Sequence, residues 1–166
     1  MTELILTAER LREVLDYDPE IGVFTWRIQP RARTKVGDEA GYLTPSGYLQ
    51  IKIDQRKHFA HRLVFLYVYG RFPKEDTDHI NGRRDDNRRC NLREATRSEN
   101  MQNVRRARSH NKAGFLGVLW NSQRNKWMAE INVFGKKIYL GLFATPELAH
   151  EAYLVAKREL HHYGNL

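Results

Sequence analysis

Cysteine is nearly absent from the 166-residue chain, in which Cys90 is the only one. A single cysteine excludes an internal disulfide and every zinc site that needs two or more cysteine ligands. The sequence also lacks an apolar run long enough to span a membrane. Its first residues, MTELILTAERLREVL, lack the basic-then-apolar layout of a signal peptide. We therefore expect a cytoplasmic protein without structural zinc.

The rest of the composition suits a folded protein. Hydrophobic residues make up 41% of the chain, and they include three Trp, eight Tyr and seven Phe. A chain with this content can bury a core, so wholesale disorder is not expected. Its length permits one sizeable domain or two small ones.

Positive charge is concentrated in one segment. The net charge is +8 and the isoelectric point is about 9.7. Residues 83–108 hold nine arginines against four acidic residues. Clustered arginine is typical of a protein that binds a polyanion, because each neutralised phosphate releases condensed counterions. A basic face that contacts only solvent is the simpler alternative, but nine clustered arginines make it the less favoured one. Binding to a membrane surface is also less favoured, because no long basic amphipathic helix accompanies the charge.

The first 70 residues predict a helix, a strand, a hairpin and a second helix. Thr7 should begin a helix that DYDPEIG ends. Its apolar face would hold Leu11, Val14 and Leu15. VFTWRI follows as a strand, and the alternation in GYLTPSGYLQIKIDQRKHFA predicts a hairpin with its turn at DQRK. HRLVFLYVYG is apolar nearly all round and should form a buried helix that ends at Gly70.

The segment TDHINGRRDDNRRCNLREATRSEN, residues 77–100, predicts a strand, a long polar loop, a second strand and a helix. Thr96 and Glu99 fit a capping box, so the helix should begin at Arg97. That helix would carry Asn100, Asn103 and Val104.

The remaining residues predict a second unit. ARSHNKAG, residues 107–114, has the composition of a linker. FLGVLWN, KWMAEINVF and KKIYLGLF then predict three strands, and ATPELAHEAYLVAKRELHHYG predicts a helix. Thr145 should cap that helix, with Pro146 at its first position, and Gly164 should end it. Its apolar stripe would consist of Ala149, Ala152, Tyr153, Ala156 and Leu160.

Polar residues of the 77–100 segment suggest a catalytic site. Asp78 supplies the hard oxygen that Mg²⁺ or Mn²⁺ accepts. His79 would point to the opposite face of an extended segment, where it could act as a general base on water. Asn91, on the paired strand, is placed to fix the orientation of that ring, and Asn100 could complete a two-ligand metal site. The simpler alternative is that Asp-His pairs are common and that Asn residues form turns and caps.

The spacing of these residues resembles a known motif. Asp78-His79 is followed by Asn91 and Asn100 within DHINGRRDDNRRCNLREATRSEN. This pattern is similar to the ββα-metal motif of HNH nucleases, in the phage and intron-homing branch. The preceding GYLTPSGYLQIKI and AHRLVFLYVYG extend the resemblance to about residues 41–104.

The resemblance implies a metal-dependent DNA endonuclease. His79 would activate the attacking water, and Asn91 would orient His79. Asp78 and Asn100 would hold one Mg²⁺ or Mn²⁺ ion against the scissile phosphate. A single centre of this type acts on one strand at a time, so both nicking and double-strand cleavage remain open.

Three other histidines lie near the motif. His61 and His58 precede it, and we interpret His61 as the first residue of the buried helix and therefore as structural. His110, in the linker, is a less favoured alternative to Asn100 as a metal ligand.

Residues 114–163 resemble the DNA-binding domain of ethylene response factors (APETALA type), through W-x-A-x-I, YLG-x-F and the Ala-rich helix after TPE. That family reads the major groove from the exposed face of its sheet. If Trp127 and the alternate positions after it face the helix, Lys126, Met128, Glu130 and Asn132 face outward. Glu130 is acidic, so it either contacts a cytosine or indicates that this face does not bind DNA. Whether Trp120 belongs to the core is undecided. An ordinary small α+β module is the alternative.

The expected DNA contacts lie in both parts of the chain. From the basic segment they are Arg83, Arg84, Arg88, Arg89, Arg93, Arg97, Arg105 and Arg106. From the second unit they are Arg124, Lys126, Asn132, Lys136 and Tyr139.

Together these observations predict an α+β chain with two domains. Residues 1–108 would form an HNH nuclease domain of the ββα-metal fold, and residues 109–166 a three-stranded antiparallel sheet packed on one helix. The protein would cleave double-stranded DNA as a monomer or weak dimer, away from membranes, in the host cytoplasm if a phage encodes it. A non-catalytic DNA-binding regulator is the main alternative. An RNA-binding module is less favoured, because no RNP-like aromatic pattern is present.

Overall fold

The computed structural model describes residues 6–104, 107 and 111–161. The chain divides into two compact units, residues 1–94 and residues 95–166. Helices and strands occur in both, in keeping with the predicted α+β class. The boundary between the units lies inside the 77–100 segment rather than at residue 108. The assignment of residues 1–108 to a nuclease domain and 109–166 to a DNA-binding domain stays a prediction.

The first unit begins with helix α1, Ala8–Val14. Thr7 caps the helix as predicted, because its side chain accepts a hydrogen bond from the amide of Arg10 at 3.2 Å. The helix ends one residue earlier than predicted. Leu15 is buried, but its backbone is extended and it begins a strand.

Strand β1, Leu15–Asp18, pairs antiparallel with strand β2, Val23–Trp26. The sequence prediction missed β1. Its buried and exposed residues alternate with a period of two, over only four residues. A pattern that short is not distinguishable from the end of an amphipathic helix.

A three-stranded antiparallel sheet follows, in the order β3 (Tyr42–Leu43), β4 (Leu49–Ile53), β5 (Arg56–Phe59). It confirms the predicted hairpin. The turn between β4 and β5 consists of Asp54 and Gln55, whose φ angles are 45° and 66°. Two positive φ angles give the kind of turn that matches the twist of paired strands.

Helix α2, Ala60–Tyr69, is buried against this sheet and against α1. It ends at Gly70, as predicted, where a φ of 71° gives the left-handed cap that glycine adopts without strain. The core of the first unit forms between these elements. Its fully buried large side chains are Leu11, Val14, Leu15, Phe24, Ile51, Leu63, Val64 and Leu92.

Strand β6, Asp76–His79, and strand β7, Leu92–Ala95, form a two-stranded sheet. A polar loop and a 3₁₀ turn, Arg89–Asn91, join them. Helix α3, Arg97–Gln102, follows in the second unit. The order of strand, loop, strand and helix is therefore the predicted one, and the ββα-metal arrangement of these elements stays a prediction.

The predicted capping box of α3 is present. The amide of Glu99 donates to Oγ1 of Thr96 at 3.3 Å, and the amide of Thr96 donates to Oε2 of Glu99 at 2.7 Å. The helix is shorter than predicted, however. Asn103 is its C-cap and Val104 lies beyond it, because the amide of Asn103 bonds to the carbonyl of Asn100, three residues back, and tightens the last turn.

The rest of the second unit is an antiparallel sheet packed on one helix, as predicted. The strands β8 (Val118–Asn121), β9 (Lys126–Val133) and β10 (Lys136–Phe143) lie in the order β10-β9-β8, and helix α4, Pro146–Leu160, contacts all three. Gly117 lies so close to Tyr153 that a Cβ atom would stand 2.0 Å from the ring. Only glycine therefore allows this approach.

Helix α4 begins as predicted, with Thr145 as N-cap and Pro146 in the first turn. The predicted stop, Gly164, lies outside the described residues, as do Arg105, Arg106 and His110. Among the helices that the structure describes, none has the length and apolar character needed to cross a bilayer.

Candidate active site

Strand β6 carries the two residues at the centre of the predicted site. Asp78 and His79 are each only 5% exposed. The carboxylate bonds to Arg93, whereas the imidazole lies against Asn87, Tyr48 and His61. The neighbouring residues thus have separate partners, as the alternation of side chains along a strand requires.

The carboxylate of Asp78 is held by an arginine from the paired strand. Oδ2 of Asp78 accepts hydrogen bonds from Nε of Arg93 at 2.9 Å and from Nη2 at 2.6 Å. The side chain of Asp78 is 6% exposed and that of Arg93 is 24% exposed. A charge-assisted pair of this kind fixes the rotation of the carboxylate. Arg93 was expected to contact DNA, yet its guanidinium is engaged inside the protein.

His79 is buried beside a carboxamide. Its Nε2 lies 3.4 Å from Oδ1 of Asn87, and the Tyr48 and His61 rings lie 6.0 Å and 5.2 Å away. Burial lowers the pKa of His79, although the bond to Asn87 and the nearby carboxylates, Asp78 first, act in the opposite direction. The ring is therefore neutral at neutral pH, which is the form that can accept a proton from water.

The side chain of Asn91 bonds to the loop backbone rather than to the His79 ring, and its predicted role in orienting that ring stays a prediction. Its Oδ1 accepts from the amide of Asn81 at 2.9 Å, and its Nδ2 donates to the carbonyl of Asp86 at 2.8 Å. Its own carbonyl accepts from the amide of Ile80 at 2.9 Å. These bonds fix the loop that follows His79, so Asn91 supports the site through the loop backbone.

Asn87 is the residue that sequence reasoning missed. It is 1% exposed, its Nδ2 bonds to the carbonyl of Asp85, and its carbonyl accepts from the hydroxyl of Tyr17. An asparagine in the run RRDDNRR suggests a turn, and nothing in that pattern signals burial. The structure nevertheless places this carboxamide against the His79 ring.

His61 forms one wall around His79. Its ring stacks on Phe59 at 5.4 Å and meets Tyr48 at 5.2 Å. Burial, followed by the neighbouring His79 and Arg62, lowers the pKa of His61 to about 3. Nδ1 of His61 has no hydrogen-bond partner among the described residues. The interpretation of His61 as a structural residue of α2 agrees with this neutral, packed ring, which also lines the candidate site.

The buried His61 predicts a loss of stability in acid. Its pKa is lower in the folded state than the ordinary 6.5, so the unfolded chain binds a proton more readily. The stabilisation is complete above pH 6.5 and decreases as the pH falls toward 3. Between pH 7 and pH 5 this residue should cost about 2 kcal/mol. Urea denaturation at both pH values should show a smaller loss for His61→Phe than for wild type; equal losses would contradict the assignment.

The arginines of the loop have different environments. Arg88 bonds to Asp86 through Nε and Nη2, and this pairing is the main reason that the pKa of Asp86 falls to about 2. Arg89 bonds to the hydroxyl of Tyr69 and to the carbonyl of Leu92. These guanidinium groups support the loop, so they are less available to DNA than the sequence suggested.

Three other arginines are exposed, as Arg88 also is. Arg84 lies over the Tyr48 ring at 5.0 Å and donates to the carbonyl of Ser46 at 2.8 Å, which places its charge beside the ring that faces His79. Arg83 is exposed, with a long contact of 3.5 Å to Asp85. Arg97 is exposed at the start of α3. Arg83, Arg84 and Arg97 stay predicted DNA contacts.

Asn100, the second predicted metal ligand, belongs to the second unit and is half-buried on α3. Its pairing with Asp78 at one cation stays a prediction. The described residues contain no group of three or more His, Cys, Asp or Glu that could hold a metal. Carboxylate and carboxamide oxygens are hard donors, which is the kind of ligand that Mg²⁺ and Mn²⁺ accept.

The exposed sheet face of the second unit carries most of the residues predicted there. Ala129 and Ile131 are buried toward α4, so Lys126, Met128, Glu130 and Asn132 face the other side. Tyr139 pairs with Glu130 and shares that outer face. Arg124 is exposed in the turn before β9.

The register of β10 places Lys136, one of the predicted DNA contacts, on the inner side of the sheet. Lys136 pairs with Val133 and Lys137 pairs with Asn132, so Lys137 lies on the outer face and Lys136 on the side of α4. Nζ of Lys137 lies 3.0 Å from Oε1 of Glu130, which balances the acidic residue on this face. Trp127 packs against the core as predicted, and Trp120 meets its ring at 4.9 Å while remaining 48% exposed.

Residues 58–102 match the model of a family described as HNH endonuclease. The match supports an HNH nuclease. It includes β6, β7 and α3, and with them Asp78, His79, Asn91 and Asn100. An HNH endonuclease domain implies a DNA substrate, and such nucleases generally use a divalent metal ion. No curated protein and no solved structure matched the chain.

Proposed function

We propose that this protein is a divalent-metal-dependent endonuclease that hydrolyses phosphodiester bonds of double-stranded DNA. The observation that carries the proposal is the buried, neutral imidazole of His79 next to the carboxylate of Asp78, within the segment that matches the HNH endonuclease family. A neutral base can activate water for attack on a phosphodiester, and an anionic oxygen ligand can hold the cation that stabilises the developing charge.

The residues would divide the reaction between them. His79 would take a proton from water as the water attacks phosphorus, and Asn87 would limit the rotation of the ring. Asp78 would hold the cation, with Asn100 as the proposed second protein ligand. When bound, Mg²⁺ or Mn²⁺ would stabilise the negative charge that develops on the phosphate and the leaving oxygen.

Exposed arginines would position the DNA. Arg84 lies above Tyr48, whose ring faces His79, so a phosphate bound by Arg84 would approach the base. Arg83 and Arg97 offer further cationic groups. Contacts with phosphate fix the position of a protein on DNA without reading the sequence.

A gel assay tests the proposal directly. Purified protein should convert supercoiled plasmid to open circles in Mg²⁺ or Mn²⁺, and EDTA should stop the conversion. Open circles should precede linear product, because one centre cuts one strand at a time. Binding of DNA without any cleavage in either metal would favour the non-catalytic regulator instead.

We further propose that the second unit directs the nuclease to its site, as in a homing-type enzyme. Support comes from the resemblance of residues 114–163 to ethylene-response-factor domains and from the polar residues on the outer sheet face, Lys126, Asn132 and Tyr139. A sheet face that carries cationic and carboxamide groups can contact phosphates and base edges in the major groove.

Two lysines at the ends of neighbouring strands test this role. Lys126 lies on the outer face, whereas Lys136 lies on the side of α4. Lys126→Ala should weaken DNA binding several-fold and reduce the slope of log affinity against log salt by about one. Lys136→Ala, the matched control, should change affinity by less than about twofold. Fluorescence anisotropy across a salt series measures both, and equal effects would assign DNA to a different face.

A further inference from the structure

The pair formed by Asp78 and Arg93 joins the two strands of the motif. Asp78 lies on β6 and Arg93 on β7, and two nitrogens of one guanidinium converge on a single carboxylate oxygen. The side chain of Asp78 is almost completely buried and that of Arg93 is mostly buried. Little solvent is present to weaken the attraction between their charges.

This pairing changes the electrostatics of a cation site. Asp78 is the one anionic residue of the proposed ligand pair, since the carboxamide of Asn100 is neutral. Arg93 offsets the negative charge of Asp78 at a distance of 2.6 Å. A divalent cation on the same carboxylate would be close to the guanidinium and would be repelled by it. The pair of Asp78 and Arg93 therefore offers such an ion almost no net negative charge.

DNA supplies the missing charge. A phosphate carries anionic oxygens, which Mg²⁺ and Mn²⁺ prefer as ligands. A cation that reaches Asp78 together with a phosphate gains the charge that Arg93 cancels in the free protein. Binding of the metal and binding of DNA should then strengthen each other by the same factor, because linkage between two ligands is reciprocal.

We infer that Arg93 is a positioning residue that keeps the affinity of Asp78 for a divalent cation low until DNA phosphate is present. This inference rests on the proposed function and deepens it. Arg93 would thereby hold the carboxylate in place and couple loading of the metal to engagement of the substrate.

Metal binding without DNA is the first test. Free Mn²⁺ is measured by electron paramagnetic resonance with the full-length protein at about pH 8, where a carboxyl group is ionised. Arg93→Gln removes the charge and keeps a donor, so it should bind Mn²⁺ at least about tenfold more tightly than wild type. Arg93→Lys keeps the charge and should stay within about threefold of wild type. Asp78→Asn should abolish this binding of Mn²⁺, both in the wild-type protein and in the Arg93 variants.

The second test measures coupling. In the His79→Ala background, which prevents cleavage, the affinity for a short labelled duplex is determined with and without Mn²⁺. The ratio of the two affinities cancels the direct effect of charge on DNA binding. The affinity for DNA with Mn²⁺, divided by that without Mn²⁺, should be larger for His79→Ala than for the double variant that also carries Arg93→Gln.

The outcomes separate this inference from the proposed function. Asp78→Asn should not bind Mn²⁺, which shows that the assay detects the site at Asp78. If wild type and Arg93→Gln then bind Mn²⁺ with equal affinity, the role of Arg93 is overturned. If Arg93→Gln fails to fold by circular dichroism, a change beyond threefold in Arg93→Lys would overturn it as well. If wild type nicks no plasmid in any divalent metal, the nuclease proposal fails, whereas the Mn²⁺ affinities of the DNA-free proteins still decide the role of Arg93.

Discussion

Replacement of His79 by alanine should reduce DNA cleavage by at least about 10³-fold while DNA binding remains close to wild type. The imidazole is buried against Asn87 and His61, and its lowered pKa keeps it neutral and able to accept a proton. Alanine offers no base at that position. The charges that attract DNA lie on the arginines, so the affinity for the duplex should not depend on this ring.

The measurement is single-turnover nicking of supercoiled plasmid at saturating protein, with binding followed by gel shift. His58→Ala is the matched control, because His58 lies on β5 and stacks on Phe72 rather than on His79. It should cleave within about threefold of wild type. Residual activity of His79→Ala within tenfold of wild type would remove the ring from the chemistry.

The strand, loop, strand and helix of the motif were predictable because their signals are local. Thr96 and Glu99 are three residues apart, and the capping box they predict is present. The turn at Asp54 and Gln55 and the stop at Gly70 are also set by neighbouring residues. Strand β1 was missed because four alternating residues also fit the end of a helix.

The roles of the two asparagines were not predictable from spacing. Asn91 matches the family pattern, and the resemblance together with its expected place on the paired strand suggested that it orients His79. Both ends of its side chain instead bond to the loop backbone, at Asn81 and Asp86. Asn87 contacts the ring because the loop folds back over it, and that path depends on backbone bonds that no sequence pattern specifies.

The number of arginines did not show which of them are available to bind DNA. Nine arginines in residues 83–108 predicted a polyanion partner. Arg88, Arg89 and Arg93 are engaged with Asp86, Tyr69 and Asp78 inside the first unit. A sequence gives the number of charges, whereas the fold decides which of them pair internally. In the second unit, likewise, the register of β10 rather than composition distinguishes Lys137 from Lys136.

Replacement of Asn91 by alanine should destabilise the protein by about 2–4 kcal/mol and lower turnover by about 10²-fold. The change leaves the amide of Asn81 and the carbonyl of Asp86 without their bonds, and each unmet group costs about 1–3 kcal/mol. The loop would then lose its fixed path over His79. Because the ring itself remains, turnover should suffer less than in His79→Ala.

A second asparagine provides a matched control for that variant. Asn111 makes the same two kinds of bond in the second unit, from Nδ2 to the carbonyl of Phe115 at 2.8 Å and to Oδ1 from the amide of Ala113 at 2.9 Å. Asn111→Ala should lose comparable stability in urea and keep cleavage within about twofold at saturating DNA. If Asn91→Ala loses stability but cleaves like Asn111→Ala, the loop does not set the geometry of the base. The position of His79 would then depend on the side chains packed against its ring, among them Asn87, Tyr48 and His61.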